Sequence, residues 1–69
     1  MTRVLVGELV KFTDGSFLPL ITDQPSYEEI WAGPRYAGND EQAARDELAA
    51  ACRARGMVED SFGEWSREV

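Results

Sequence analysis

The stretch from Arg3 to Thr22 constrains the fold most, because two runs of aliphatic and aromatic residues flank an Asp-Gly pair. Such runs on both sides of Asp-Gly are the strongest short-range signal for a β-hairpin. Gly15 supplies the positive φ that a tight turn needs, and Asp14 tolerates the same region of backbone space. The sequence therefore predicts two antiparallel strands joined at this turn.

The turn allows two strand registers. A two-residue loop would pair Phe12 with Phe17, whereas a three-residue loop with Gly15 in a bulge would shift every pair by one residue. We take the two-residue loop as the expectation. Its further pairs are Val10 with Pro19 and Glu8 with Ile21. Because proline has no amide hydrogen to donate, the second strand should be an edge, or bulged, at Pro19.

Both faces of the hairpin are apolar in either register. In the expected register one face carries Val4, Val6, Val10, Phe12, Phe17 and Ile21. The other face carries Leu5, Leu9, Leu18 and Leu20, with Gly7 and Lys11.

The connector over residues 23–38 predicts a short helix. Ser26 and Glu29 have the spacing of a capping box, and Gly33 followed by Pro34 would end the helix. The residues at helical spacing between these signals are Tyr27, Ile30 and Trp31.

Residues 39–56 carry the clearest helix signal. Asn39 or Asp40 would cap the start, Glu41 and Arg45 form an i,i+4 pair, and Gly56 predicts a left-handed end. Met57 is placed for the hydrophobic contact that usually follows such an end. The predicted buried stripe consists of Ala44, Leu48, Ala51 and Cys52.

Residues 57–69 fit either a strand or a short helix. As a helix, Ser61 and Glu64 would form a capping box. We expect a strand, because a hairpin needs a third strand for independent stability. Its alternate residues on one face would be Trp65, Arg67 and Val69. In both cases we expect Phe62 and Trp65 in the core.

These elements predict one α+β domain over residues 1–69. A small antiparallel sheet packs against one main helix, with a short helix in the connector. A chain of 69 residues buries too little surface to be more than marginally stable without help. One cysteine cannot close an internal disulfide, and without histidine a four-ligand zinc site cannot form. We therefore expect no metal and no cofactor, and leave close packing or a partner subunit as the sources of stability.

The charge pattern excludes several classes of partner. The formal net charge is −6, with acidic residues spread along the chain, so we expect no direct binding to nucleic acid and none to membranes. No apolar run approaches the roughly 20 residues of a membrane span. Together with a lone thiol, this predicts a cytoplasmic protein. Arginine is used almost to the exclusion of lysine, which suggests a bacterial or phage genome.

The candidate catalytic groups do not predict an enzyme. Cys52 has no histidine to act as its base, and it lies near a helix C-terminus, where the dipole disfavours a thiolate. Adjacent acidic residues such as Glu28 and Glu29 point in different directions along a helix. No segment has the spacing of a calcium loop. We expect the cysteine to be a small buried residue and the carboxylates to be solvated.

One constellation has the composition of a binding site: Tyr27, Trp31, Arg35 and Tyr36. Tyrosine, tryptophan and arginine are the residues enriched at interface hot spots. These four lie close together in the least regular part of the chain, so they are the predicted partner-binding residues. The alternative is that Tyr27, Ile30 and Trp31 cap an open end of the hairpin core.

The second apolar face of the hairpin predicts an interaction surface. One narrow, alanine-rich helix cannot cover both faces, and an exposed apolar patch usually marks a contact with another molecule. We expect a small acidic protein-binding module, such as a regulator, adaptor or inhibitor. It would dock through this face or a strand edge, or form a homodimer through the hairpin. The alternatives are an acidic mimic that blocks a DNA- or RNA-binding protein, and a structural subunit of a larger assembly.

Overall fold

The computed structural model describes residues 2–69. In chain order the elements are β1 (Val4–Lys11), β2 (Phe17–Gln24), β3 (Glu28–Ala32), a 3-10 turn (Gly38–Asp40), α1 (Glu41–Ala54), β4 (Val58–Glu59) and β5 (Trp65–Glu68). The strands form one antiparallel sheet in the order β3-β2-β1-β5-β4. Helix α1 packs against β1, β2 and β5. The predicted α+β class is confirmed.

The hairpin turns at Asp14-Gly15 as predicted, but with the three-residue loop. The Phe12 amide donates to the Ser16 carbonyl at 2.9 Å, and the Gly15 amide donates to the Phe12 carbonyl at 2.9 Å. Gly15 has a φ of 88°, which glycine adopts without steric cost. Lys11 consequently lies opposite Phe17. The expected pairing of Phe12 with Phe17 is wrong. The further expected pairs, Val10 with Pro19 and Glu8 with Ile21, are wrong for the same reason.

Gly7 determines which face of the sheet meets α1. A Cβ atom at Gly7 would lie 2.5 Å from the Cys52 Sγ atom. The absence of a side chain at Gly7 therefore lets α1 approach β1 closely at this point. Gly7 is paired with Ile21 on one side and with Trp65 on the other, and all three are buried. These positions therefore form the face that α1 covers.

The shifted register regroups the side chains of the hairpin. On the helix side, Phe17 and Ile21 now accompany Leu5 and Leu9, instead of the valines with which they were expected. Alternation along β1 places its valines on the other side of the sheet. Leu18 and Leu20, from β2, join them there.

Helix α1 follows the predicted pattern closely. Its buried residues are Ala44, Leu48, Ala51 and Cys52. At its C-terminal end Gly56 has a φ of 71°, and the Met57 amide donates to the Cys52 carbonyl at 3.0 Å. This is the hydrogen-bond pattern of a glycine-terminated helix. Met57 is buried and joins the core cluster of Ile21, Leu48, Ala51, Cys52 and Trp65.

The short helix predicted from Ser26 is wrong in position, because that segment is strand β3. The Ser26 hydroxyl donates to the Asp23 carbonyl at 3.0 Å and accepts from the Glu28 amide at 3.3 Å, so it closes a turn instead of capping a helix. The turn returns the chain along β2, whose outer backbone groups would otherwise lack partners. The short helix of the connector is instead the 3-10 turn at Gly38–Asp40.

Pro19 occupies a tolerant position in β2. Its carbonyl accepts from the Gly33 amide at 3.0 Å, and the next backbone pair on this side joins Phe17 to Tyr36. The pairing of β2 with its outer neighbour is interrupted between Gly33 and Tyr36. The missing amide hydrogen of Pro19 therefore falls beside an interruption in the sheet, where proline is tolerated.

The C-terminal segment forms the expected strand and an additional short one. Strand β5 pairs with β1, and β4 pairs with β5 as a two-residue outer strand that the sequence did not predict. Trp65 is buried, as expected, but Phe62 is 88% exposed, so its assignment to the core is wrong. Phe62 lies in the β4–β5 turn, where the Asp60 carboxylate accepts from its amide at 2.8 Å.

Replacing Gly7 tests the close approach of helix and sheet. We expect Gly7→Ala to lower the free energy of unfolding by about 1–3 kcal/mol, because an added methyl overpacks a filled core. Cys52→Ala removes the atom nearest the new methyl. The double variant should therefore lose less free energy of unfolding than the sum of the losses in the two single variants. Urea unfolding of all four proteins measures this coupling, and strict additivity would contradict the proposed contact.

Candidate binding surface

The four residues predicted to bind a partner do not form one cluster. Strand β3 and the segment after it are extended, so at about 3.3 Å per residue Tyr27 and Tyr36 can lie up to about 30 Å apart. Tyr27 lies in the turn before β3, and Trp31 lies within β3. Arg35 and Tyr36 lie at the opposite end, beside the β1–β2 turn.

Tyr27 is the most accessible of the four. It is 71% exposed, and its φ of 60° places a bulky residue in the left-handed region. This conformation costs on the order of 1–2 kcal/mol in a residue other than glycine. Strain at an exposed aromatic residue is compatible with a contact role, and for Tyr27 that role stays a prediction.

Trp31 lies on the helix side of the sheet, opposite Ile21. It is half-buried and packs against the core cluster, with the Arg55 guanidinium carbon 5.9 Å from the ring centroid. Trp31 therefore extends the core toward the β3 edge, as in the alternative interpretation of the sequence.

Arg35 and Tyr36 connect the segment after β3 to the hairpin turn. The Arg35 Nε atom donates to the Ser16 hydroxyl at 2.7 Å, and its Nη2 atom donates to Asp14 at 3.1 Å. The guanidinium carbon also lies 3.9 Å from the centroid of the Phe12 ring. Tyr36 exchanges two backbone hydrogen bonds with Phe17. Both residues thus stabilise the fold, whatever else they contact.

The Asp14 carboxylate is held in its ionised form by this network. It accepts from the Ser16 hydroxyl at 2.6 Å and from the Ser16 amide at 2.9 Å. These two hydrogen bonds, followed by the charge of Arg35, lower the pKa of Asp14 below its ordinary value.

The most extensive candidate surface is the sheet face opposite α1, which we call the open face. Strand alternation and the observed register assign it these residues: Val4, Val6, Glu8, Val10, Leu18, Leu20, Thr22, Gln24, Glu29, Ala32, Val58, Ser66 and Glu68. The valines of β1 and both leucines are only partly buried, and Val58 is 71% exposed. Among the described residues no second helix covers this face.

The edges of the sheet are poorer docking sites than the open face. At one edge β3 carries Glu28 and Glu29, and its pairing with β2 shifts between Ile21 and Thr22. Pro34 follows shortly after the strand. Charges, register irregularities and proline are the devices that protect edge strands from pairing with another chain. At the other edge β4 has two residues, too few for a stable added strand.

A buried carboxylate at the end of β2 was missed by the sequence analysis. The Asp23 side chain is 1% exposed and forms a salt bridge with Arg3, which raises the pKa of Arg3. Within residues 2–69, the Oδ1 atom of Asp23 and the hydroxyl of Thr22 are buried without a hydrogen-bond partner. An acidic residue ending an apolar strand was the only available signal. We assign the ion pair to closing this end of the hairpin.

Cys52 is the one thiol in the chain, and it is fully buried between α1 and the sheet. Burial raises the pKa of this thiol to about 11. A protonated, inaccessible thiol is a poor nucleophile. The structure therefore places Cys52 in the packing of the core.

One groove lies between α1 and the β4–β5 hairpin, with a volume of about 230 Å³. Its charged lining alternates in sign, with Arg45, Asp46, Arg53 and Glu59. The Arg53 guanidinium lies 5.3 Å from the ring centroid of Trp65. Within residues 2–69 no group of three or more cysteine, aspartate or glutamate side chains is arranged to hold a metal ion.

Comparisons with known proteins leave the function to be argued from this geometry. The chain matches no known protein family, no curated protein and no solved structure. Across residues 2–69, no helix has both the length and the hydrophobicity to cross a membrane.

Ser16→Ala should raise the pKa of Asp14 toward its ordinary value, because it removes the hydroxyl that contributes most to the lowering. Arg35→Ala should raise the pKa less. The stability contributed by Asp14 is present above the unfolded-state pKa and is lost as pH falls through the lower folded-state pKa. Carboxyl-carbon NMR over acidic pH measures both variants. An unchanged pKa in Ser16→Ala would contradict this assignment.

The Cys52 thiol should resist alkylation in the folded protein at pH 8 and react at once in denaturant. Burial raises the pKa of the thiol in the folded state to about 11. In the unfolded state the same thiol has a pKa of about 8.5, so it ionises at a lower pH there. The contribution of the thiol to stability is therefore complete below that pH and falls as pH rises toward 11. Cys52→Ala removes this part of the pH dependence. Free energies of unfolding measured by fluorescence at several alkaline pH values compare the pH dependence of stability in the two proteins.

Proposed function

We propose that this chain is a small acidic protein-binding module, acting as a regulator, adaptor or inhibitor, and that it docks on another protein through the open face. The observation that carries the proposal is an apolar sheet face with no covering layer among residues 2–69. Solvent-facing sides of antiparallel sheets normally alternate to polar residues. Here the same side of β1 and β2 carries Val4, Val6, Val10, Leu18 and Leu20.

The open face has a size compatible with a specific interface. The two longer extents of the molecule are 38 and 20 Å, which limits the face to roughly 800 Å², about what one partner contributes to a standard interface. The face is mostly apolar with a few charged residues among and beside the apolar ones, a composition found in protein interfaces.

The other interpretations have less support. An acidic mimic of nucleic acid needs an uninterrupted row of carboxylates. Here Glu41 is paired with Arg45 at 2.6 Å, and Asp14 with Arg35 at 3.1 Å. A role as a structural subunit would use the same open face without regulating its partner. A cytoplasmic location, a bacterial or phage origin and a homodimer formed through the hairpin stay predictions.

A photo-crosslinking amino acid at two matched alanines tests the use of the open face. Ala32 lies on the open face opposite Leu20, and Ala50 lies on α1; both are exposed. We expect Ala32 to give a discrete adduct with another protein in cells that express the chain, and Ala50 to give none. Circular dichroism on both purified variants controls for folding.

Three results distinguish the possible outcomes. An adduct specific to Ala32 that contains a second protein supports the proposal. An adduct of twice the chain's own 7.7 kDa identifies the homodimer. Equal adducts from Ala32 and Ala50, or none from either position, would contradict docking through the open face.

A further inference from the structure

The strand residues assigned to the open face carry charge of one sign. Glu8 lies opposite Leu20, Glu29 opposite Thr22, and Glu68 opposite Val4. All three glutamates are exposed. The register therefore places carboxylates among and beside the apolar residues of the face.

The basic residues of the strands lie on the other side of the sheet, and those beside the open face are already paired. Lys11 and Arg67 belong to the helix side by the same alternation, since Lys11 is paired with Phe17 and Arg67 with Leu5. Arg3 is bound to Asp23. Arg35 stacks on Phe12 beside the turn end of the open face, with its guanidinium carbon 3.9 Å from the ring centroid, but its charge is paired with Asp14. Among the strand residues assigned to the open face, none is a lysine or an arginine.

The spacing of the three glutamates can be estimated from sheet geometry. Strands lie about 4.8 Å apart and alternate residues on one face lie about 6.8 Å apart, so the three carboxylate positions are separated by about 12–16 Å. Val6 and Thr22 lie between them. A binding group for this face must therefore combine apolar side chains with cations at several separate positions.

We infer that the occupant of the open face is a basic amphipathic helix of another protein, an inference that rests on the function proposed above. Its apolar stripe would cover the valines and leucines of the open face, as the stripe of α1 covers the opposite side. Arginine or lysine residues flanking that stripe would reach Glu8, Glu29 and Glu68. The resulting complex would have a helix–sheet–helix arrangement, with both faces of the sheet buried.

Charge disfavours a second copy of the chain as the occupant. Two open faces packed against each other would bring six carboxylates into one interface, with no cation contributed by the strand residues of either face. Like charges placed opposite each other in an interface cost several kcal/mol. A basic helix replaces this repulsion with complementary pairs.

Three synthetic helical peptides of about 16 residues, long enough at about 1.5 Å per residue to cross the face, test this inference. They share one leucine and alanine stripe and differ only in the flanking residues, which are arginine, glutamine or glutamate. Fluorescence anisotropy at low and at near-physiological salt measures their affinities. We expect the arginine peptide to bind about tenfold more tightly than the glutamine peptide, with a smaller preference at higher salt, and the glutamate peptide to bind least.

Two charge-matched triple variants locate the effect. Glu8→Gln, Glu29→Gln and Glu68→Gln together should abolish the preference for arginine over glutamine. The control variant combines Asp40→Asn, Glu47→Gln and Glu59→Gln, which neutralises three exposed carboxylates that are outside the open face, and it should keep the preference. Thermal unfolding confirms that both variants are folded.

The outcomes separate this inference from the proposed function. Equal binding of the arginine and glutamine peptides would overturn the inference and leave docking through the open face intact. Loss of the preference in the control variant would overturn the assignment to these glutamates. If no peptide binds, the inference fails. An adduct from Ala32 to another protein would then still support the proposed function, whereas an adduct of twice the chain mass would make a second copy the occupant.

Discussion

The contact between Gly7 and Cys52 sets the arrangement of the whole molecule. Because Gly7 has no side chain, α1 can lie directly on the centre of β1, with a thiol filling the space that a Cβ atom would need. This places Ile21 and Trp65 beneath the helix, on the two strands that flank β1. The helix therefore covers one face at its middle, and the opposite face has no covering element among residues 2–69.

The composition of β1 is difficult to explain by folding of the isolated chain alone. A sheet with one solvated face can place polar residues there at no cost to its core. Val4, Val6 and Val10 instead leave apolar surface partly exposed, which in a small domain raises the risk of aggregation. Their presence is consistent with a surface kept apolar for contact, and Glu8 among them restricts which molecules can make that contact.

The sequence was most informative where one local pattern had no competitor. The buried stripe of α1 and its end at Gly56 followed from helical spacing and glycine chemistry. The hairpin register did not, because an Asp-Gly pair suits both loop lengths and both faces of the hairpin are apolar in either register. Helical spacing at Tyr27 and Trp31 was overridden by the unpaired edge of β2. The same change from helix to strand separated the residues of the predicted binding cluster, since an extended chain spreads neighbours that a helix keeps together.

The position of β1 between β2 and β5 has a consequence for how the chain reaches its native state. Strand β2 follows β1 directly, so the hairpin can form within microseconds. Its other neighbour comes from residues 65–68, at the far end of the described chain. Until that segment arrives, one side of β1 has unpaired backbone groups and the site of Trp65 beside Gly7 is empty. Such long-range pairing slows folding and prolongs exposure of the hairpin. During synthesis the hairpin, which is the most apolar segment, therefore stays only partly paired until nearly all of the remaining chain has been made.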